Sequence, residues 1–343
     1  MSAVLEGIRR MARARTQRLL FAEAGDDRVV RAADRLSRDR LAQVSLIGAR
    51  EALRSTARRC DVSLTGVECI DPGDPAEVER AAHALKEARG ERLQPPEVET
   101  LARDPLFQAA ARVRAGLADC FVAGASRTTA DVLRAALWLI GLMPEVRTLT
   151  SFFLMVVPSP PAAAGRTAGE RVLMFADCGV VPDPTSEQLA EIACLAADHF
   201  GRLTRAVPHT AFLSFSTRGS AEHPRVVKVR EACALARRRR PDLHFDGELQ
   251  ADAALDPGVA RRKAPESVVA GRADVLIFPD LDSGNIGYKL VERLGGARAY
   301  GPILMGLRRQ ANDLSRGCSS EDVVEVATIA CALSATAAAA ARA

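Results

Sequence analysis

The sequence lacks the close pairing of cysteines and histidines that metal sites and redox centres use. Its eight cysteines are scattered and include no C-x-x-C pair; they stand at positions 60, 69, 120, 178, 194, 233, 318 and 331. The five histidines share no ligand spacing. Because zinc and redox frameworks need closer pairing, we expect a reduced protein without a metal and without a catalytic histidine.

Long apolar runs and an excess of charge of one sign are missing too. No apolar run reaches the ~18 residues that a membrane-spanning helix requires. The arginine-rich start of the chain has no apolar h-region, so it does not resemble a signal peptide. Lys+Arg 47 against Asp+Glu 43 gives a net charge of +4, too balanced to indicate nucleic acid or a membrane surface as partner. We expect a soluble, cytoplasmic protein.

Apolar runs alternate with amphipathic stretches along the chain, which is typical of a mostly parallel sheet flanked by helices. A length of 343 residues favours two domains. The Pro/Ala-rich segment 158–165 predicts a hairpin-like loop, and Thr185 to Gln188 form a capping box. A buried helix is predicted from Ser320 onward. The predicted strands are 18–22, 43–47, 119–123, 171–177, 211–216, 243–248 and 275–278.

A polar loop before the last helix carries the first candidate for chemistry. Ser315 and Arg316 are neighbours there, and the helix predicted from Ser320 brings Asp322 close to them. A hydroxyl, a fixed cation, free backbone N–H groups and a carboxylate suit anionic substrates and proton transfer. Ser319 and Asp322 also have the spacing of a capping box, so a structural role for Asp322 stays open.

Two further polar segments follow predicted strands. Residues 216–220, Ser-Thr-Arg-Gly-Ser, form either an anion site or an ordinary turn. The Walker A spacing is missing, and no G-x-G-x-x-G follows a strand, so no nucleotide-binding Rossmann unit is predicted. Asp246, Glu248 and Asp252 lie at the end of a strand. Hydrogen bonds that brace neighbouring loops are favoured there over a divalent metal site.

Several long motifs in this order resemble the phosphotransacetylase family, the phosphate acetyl/butyryltransferases. The matching segments are 175–178, 182–193, 213–221, 246–254, 262–265, 275–290 and 301–322. The resemblance implies an α/β fold of two αβα domains with an active-site cleft between them, similar to isocitrate and isopropylmalate dehydrogenases. It implies a first domain of residues 1–150 plus 304–343, a second of 151–303, and a homodimer.

The resemblance also implies the reaction acetyl phosphate + CoA ⇌ acetyl-CoA + phosphate, with CoA as a substrate and no permanently bound cofactor. By resemblance, Asp322 acts as a base or orients the thiol, Ser315 hydrogen-bonds the developing charge, and Arg316 binds the phosphate or carbonyl. The other substrate-binding residues implied are Arg293 for the acyl phosphate and Arg134 and Arg89 for CoA. Ser216 and Thr217 are added as substrate-binding candidates from the possible anion site in their own segment.

Departures from the family pattern concentrate in the first half of the chain. Arg127 stands where a histidine is usual; it either strengthens binding of the CoA phosphates or has only a surface role. Three alternatives remain beside an acetyltransferase: transfer of a longer acyl group such as butyryl or propionyl, a non-catalytic regulatory or assembly module, and a metal-dependent decarboxylating dehydrogenase. The last is suggested by fold analogy alone.

Overall fold

The computed structural model describes residues 3–158 and 170–340. Two compact units divide this chain. The discontinuous unit is formed by residues 5–144 and by the chain from residue 301 onward, and the central unit by residues 145–300. A five-stranded sheet lies in the discontinuous unit, and a six-stranded sheet is built on the central unit. None of the helices in the described chain is both long and apolar enough to cross a membrane.

Helices and short parallel strands alternate in the first part of the chain. In order, the elements are α1 (Ala3–Ala14), β1 (Arg18–Phe21), α2 (Asp27–Arg38), β2 (Gln43–Ile47), α3 (Arg50–Cys60), β3 (Glu68–Ile70), α4 (Pro75–Arg89), a 3-10 turn (Gly90–Arg92), α5 (Pro95–Ala102), α6 (Pro105–Arg114), β4 (Cys120–Ala123), α7 (Thr129–Ala135) and a π-helical turn (Ala136–Ile140). Side chains of Asp26, Asp104 and Thr128 accept backbone N–H groups at the starts of α2, α6 and α7. These caps explain why the three helices begin where they do.

The central unit carries the longest strands. Its elements are β5 (Thr150–Pro158), β6 (Glu170–Ala176), α8 (Ser186–Thr204), β7 (His209–Leu213), α9 (Pro224–Arg239), β8 (His244–Leu249), α10 (Ala251–Leu255), α11 (Pro257–Lys263), β9 (Val275–Ile277), α12 (Leu281–Gly295) and β10 (Arg298–Met305). The sheet order is β10-β5-β6-β9-β7-β8. Strands β6, β9, β7 and β8 are parallel, whereas β5 runs antiparallel to β6.

The chain then completes the first sheet with β11 (Gln310–Asp313) and ends in α13 (Ser320–Ala340). The order of this sheet is β11-β4-β1-β2-β3, and all its pairs are parallel. Helix α13 packs on this sheet and is buried from Val323 to Ala335. Its burial explains its apolar sequence.

The predicted mostly parallel α/β pattern is confirmed, and so are the capping box of α8 and the buried last helix. All seven predicted strands exist, with ends shifted by up to three residues. The hairpin-like loop predicted at 158–165 lies, after Pro158, outside the described residues. Strands β3, β5, β10 and β11 were not predicted. Strand β11 matters most, because it positions the loop of Ser315 and Arg316.

Candidate active site

Three loops meet at the carboxyl edge of the five-stranded sheet, because β1, β4 and β11 are adjacent and parallel. We name them the β1 loop (22–26), the β4 loop (124–128) and the β11 loop (314–319). Ligands of parallel α/β sheets characteristically bind at this edge. The sheet thus brings together segments that lie about 100 and 190 residues apart in the chain.

A buried carboxylate joins the first two loops. Glu23 accepts the backbone N–H groups of Ala125 at 2.9 Å, Ser126 at 2.7 Å and Arg127 at 2.8 Å. The Ser126 hydroxyl donates a fourth hydrogen bond, also at 2.9 Å. Such a set of donors offsets the cost of burying a charge. Glu23 therefore fixes the shape of the β4 loop.

Arg28, in the first turn of α2, connects all three loops. Its guanidinium donates to the carbonyl oxygens of Ala125 at 2.7 Å, Arg316 at 2.7 Å and Cys318 at 3.1 Å. Asp26 holds it on the opposite side, at 2.7 and 3.0 Å. Burial opposes ionisation of Asp26, but the hydrogen bonds and charge of Arg28 outweigh it, so the pKa of Asp26 is lowered. A charged pair thus holds the β11 loop in place.

Two predicted catalytic residues lie exposed in the β11 loop. The Ser315 hydroxyl accepts a long hydrogen bond, 3.3 Å, from the N–H of Gly317. The guanidinium of Arg316 makes no ion pair or side-chain hydrogen bond within the described chain. An exposed guanidinium whose backbone is fixed and whose N–H groups are unused is well suited to bind an anion.

Asp322, the third predicted catalytic residue, sits in the first turn of α13. Its Oδ2 accepts the N–H and the hydroxyl of Ser319, both at 2.8 Å, and its own N–H donates to the Ser319 hydroxyl at 3.2 Å. The capping box that the spacing allowed is therefore present. Oδ1 makes no hydrogen bond to any described residue, so one oxygen remains available for chemistry.

A second carboxyl, Asp313, ends β11 and is only 3% exposed. Thr129 donates to its Oδ2 at 2.6 Å, while Oδ1 is buried without a hydrogen-bond partner in the described chain. Oδ1 packs against Gly124, whose φ of +107° and lack of a Cβ allow this close approach. Burial raises the pKa of Asp313 to about 6, against the hydrogen bond from Thr129.

Asp313→Asn is expected to stabilise the protein near neutral pH. An unfolded aspartate has a pKa of about 3.9, so the folded state loses stability relative to the variant as pH rises from about 4 through 6. Above that, the deficit is complete and amounts to at most about 3 kcal/mol. Thermal unfolding should show a Tm advantage of the variant that is small at pH 4.5 and larger at pH 7.5. Asp282→Asn, at an exposed site, is the control; equal advantages at both pH values would contradict the prediction.

The predicted CoA-binding arginines lie together around Trp138. The Arg89 guanidinium carbon is 4.5 Å from the ring centroid and that of Arg134 is 5.7 Å away. Arg134 also bonds Asp131 at 2.8 Å. Arg89 has no carboxylate partner in the described chain, and its Nε is buried without a hydrogen bond. The structure thus brings together two residues that are 45 positions apart.

Arg127, by contrast, does not join this cluster in the structure. Its guanidinium bonds Asp104, the N-cap of α6, at 2.6 Å. The same carboxylate accepts the N–H of Leu106. This ion pair ties the β4 loop to α6, and the effect of Arg127 on CoA binding stays a prediction.

In the central unit, the predicted Ser216 and Thr217 are buried. Ser216 donates to Glu248 at 2.9 Å, and Thr217 donates to Gln250 at 3.2 Å while accepting its N–H at 2.9 Å. Both hydroxyls are therefore used to hold the turn against the end of β8. The two side chains therefore shape the loop, whereas the exposed atoms of the loop belong to residues 218–220.

The carboxylates of the same region brace loops, as favoured from the sequence. Glu248 accepts from the N–H of Gly219 at 2.8 Å and from Arg230 at 2.9 Å. Burial works against its charge, but these donors lower its pKa. Asp246 bonds Arg218 at 2.6 Å and also contacts Ser267. No group of three or more His, Cys, Asp or Glu side chains in the described chain could hold a metal ion.

Arg293, predicted to bind the acyl phosphate, lies in the last turn of α12. Its side chain is 81% exposed, and its nearest carboxylate, Glu292, is 3.7 Å away. It lies in the central unit and is one of several exposed cations there.

Comparison with known proteins identifies the family of this chain. A family model described as phosphate acetyl/butaryl transferase matches residues 3–331. The chain belongs to this family. It is 46% identical over 330 residues to the phosphate acetyltransferase of Paracoccus denitrificans, covering 95% of this chain and 97% of that one. Identity to the phosphate acetyltransferase of Clostridium acetobutylicum is 41% over 327 residues, again 95% and 97%.

Solved structures agree with this assignment. A phosphotransacetylase from Streptococcus pyogenes superposes with a TM-score of 0.89 at 39% identity, covering 97% of this chain and 99% of that one. A 4-hydroxythreonine-4-phosphate dehydrogenase from Klebsiella pneumoniae, 12% identical, has a TM-score of 0.51 over 93% and 100% of the two chains, which shows the fold alone. The predicted family and dehydrogenase-like fold class are therefore confirmed.

Sequence reasoning missed three residues of the discontinuous unit that organise this site: Glu23, Arg28 and Trp138. The partners of Glu23 are over 100 positions away, and those of Arg28 lie up to 290 positions away. The single tryptophan of the chain was the one available signal, since it follows Arg134 by one helical turn.

Proposed function

We propose that this chain catalyses reversible transfer of an acetyl group between acetyl phosphate and CoA. Full-length similarity to phosphate acetyltransferases supports this, and it confirms the predicted class of enzyme, an acyltransferase. The structural observation that carries the proposal is the Arg316 guanidinium, which makes no ion pair with any described residue and whose backbone Arg28 holds in the same loop as Ser315. CoA is a substrate in this proposal.

The reaction needs little more than positioning and charge. The CoA sulfur attacks the acetyl carbon, a C–S bond forms, and the bond from that carbon to the phosphate oxygen breaks, releasing inorganic phosphate. A thiol like that of cysteine has a pKa of about 8.5, so only a few per cent is ionised at neutral pH. A positioned base speeds such an attack by roughly 10²–10⁴-fold.

Two residues of the β11 loop, and Asp322 in the helix that follows it, have a part in this proposal. Asp322 takes the thiol proton on Oδ1 or orients the S–H, while Oδ2 keeps its bonds to Ser319. Ser315 donates a hydrogen bond to the developing charge. Arg316 binds the phosphate or carbonyl oxygens, where a fixed guanidinium offers two parallel N–H donors.

Further residues complete the proposed binding groups. Arg293 binds the acyl phosphate, and Arg134 and Arg89 bind CoA. Ser216 and Thr217 contribute by fixing the shape of their loop, since both hydroxyls are bonded internally. We further propose that the two compact units correspond to domains of residues 1–150 plus 304–343 and 151–303, in a cytoplasmic homodimer.

A direct assay tests the proposed reaction. Purified protein mixed with acetyl phosphate and CoA should form thioester, followed by its absorbance, with saturation by both substrates. Adding phosphate to acetyl-CoA should reverse the reaction. No thioester from a folded protein would favour the non-catalytic module, and a higher kcat/KM with butyryl or propionyl phosphate would favour the longer-chain transferase.

A further inference from the structure

The π-helical turn Ala136–Ile140 holds the chain's one tryptophan in a defined position. Phe107, which is fully buried, packs against the Trp138 ring with centroids 6.1 Å apart. Arg114 donates to the carbonyl of Leu139 at 3.0 Å and so ties the turn to α6. Single π turns within helices occur frequently at functional sites. The indole is therefore a fixed platform.

Two guanidinium groups lie on this platform. The contacts of Arg89 at 4.5 Å and Arg134 at 5.7 Å are both within the range of cation–π attraction, for which tryptophan is the strongest aromatic partner. An aromatic ring holds a guanidinium by its face and leaves the N–H groups in its plane free to donate. Trp138 thus fixes these cations without neutralising them.

The charges of the cluster do not cancel. Asp131 takes one N–H of Arg134, and Arg89 has no carboxylate partner within residues 3–158 and 170–340. Two guanidinium groups against one carboxylate leave a net positive charge, which a further anion beside them would offset. A phosphate group, which accepts several N–H bonds from guanidinium groups, meets this requirement.

We propose that Trp138 is a positioning residue that holds Arg89 and Arg134 together to bind the phosphate groups of CoA. The inference rests on the proposed function, because CoA is the phosphate-bearing substrate of that reaction. Since ring and guanidinium groups are placed before the ligand arrives, little ordering is needed on binding. Trp138 acts through the two arginines and need not touch CoA itself.

The single tryptophan provides a direct readout that does not depend on turnover. Titrating the wild-type protein with CoA should change Trp138 fluorescence saturably, with half-saturation near the KM for CoA. Pantetheine, which has the thiol but no phosphate, should leave the emission unchanged. Inorganic phosphate alone should act only at far higher concentration than CoA, which separates a free anion from the CoA phosphates.

Kinetics of Trp138→Leu give the second test. We expect KM for CoA to rise by roughly five- to tenfold, as two cation–π contacts are lost, with kcat and KM for acetyl phosphate within about twofold of wild type. Trp138→Phe, which keeps an aromatic face, should recover part of this loss. Leu137→Ala, an exposed neighbour in the same turn, is the matched control and should behave as wild type.

Two results would overturn the inference. One is an unchanged KM for CoA in folded Trp138→Leu, and the other is a wild-type tryptophan emission that does not change when CoA is added at ten times its KM. If Trp138→Leu does not fold, the fluorescence titration of the wild type decides alone. Absence of thioester formation by the wild type would refute the proposed function instead, and the CoA titration would still decide whether this cluster binds CoA.

Discussion

Arg316→Gln should lower kcat/KM for acetyl phosphate by well over tenfold, to a loss on the order of 100-fold. The arginine is held by its backbone carbonyl, which Arg28 bonds at 2.7 Å, so the substitution leaves that anchor intact. Its guanidinium has no ion pair in the described chain, so its loss removes little from stability. What disappears is a fixed charge with two parallel donors, which an amide cannot replace.

Arg309→Gln is the matched control for this variant. Arg309 is also exposed, but it precedes β11, at the other end of the strand from Arg316. Steady-state kinetics and thermal unfolding should be measured for both variants. A near-wild-type kcat/KM in folded Arg316→Gln would show that Arg316 does not act in the site.

Asp322→Asn should lower kcat by roughly 10²–10⁴-fold if the carboxylate accepts the thiol proton. The amide oxygen of asparagine can still accept both hydrogen bonds from Ser319, so Tm should change little. The variant therefore separates proton transfer from helix capping. Kinetics and melting curves of the same preparation provide the comparison.

Glu321→Gln is the control for Asp322→Asn. The neighbouring carboxylate is half exposed and contacts Arg35, so its neutralisation should leave kcat unchanged. If Asp322→Asn instead melts earlier, by a free energy of ~1 kcal/mol typical of a lost cap, and turns over normally, Asp322 is only a capping residue.

Local features of this fold could be predicted from the sequence, and distant pairings could not. The capping boxes at Thr185 and Ser319 depend on residues three positions apart, and both are present. Strand β11 could not be predicted because it has only four residues, Gln-Ala-Asn-Asp, most of which are uncommon in strands. Its place in the sheet comes from pairing with β4, some 190 positions earlier, which no local pattern reveals.

The same limit applies to the candidate site. The loop around Ser315 and Arg316 can be recognised from its polar composition, because a run of polar residues has no evident role in packing. Arg28, which anchors this loop, cannot be recognised in the same way, since nothing in its local sequence distinguishes it from other helical arginines of the chain. At Ser216, a hydroxyl in a glycine-containing turn predicts ligand binding. The structure buries this hydroxyl and bonds it to Glu248, a contact that no local pattern indicates.

The discontinuous unit has a consequence for synthesis of the protein. A nascent chain that has left the ribosome as far as residue 309 contains all strands and helices of the central unit but lacks β11 and α13. In that intermediate, β4 has an unpaired edge and the apolar surface that α13 covers is bare, both hazards for aggregation. Because the β11 loop lies between these two elements, translation of residues 310–340 both closes the first sheet and delivers the residues proposed for chemistry.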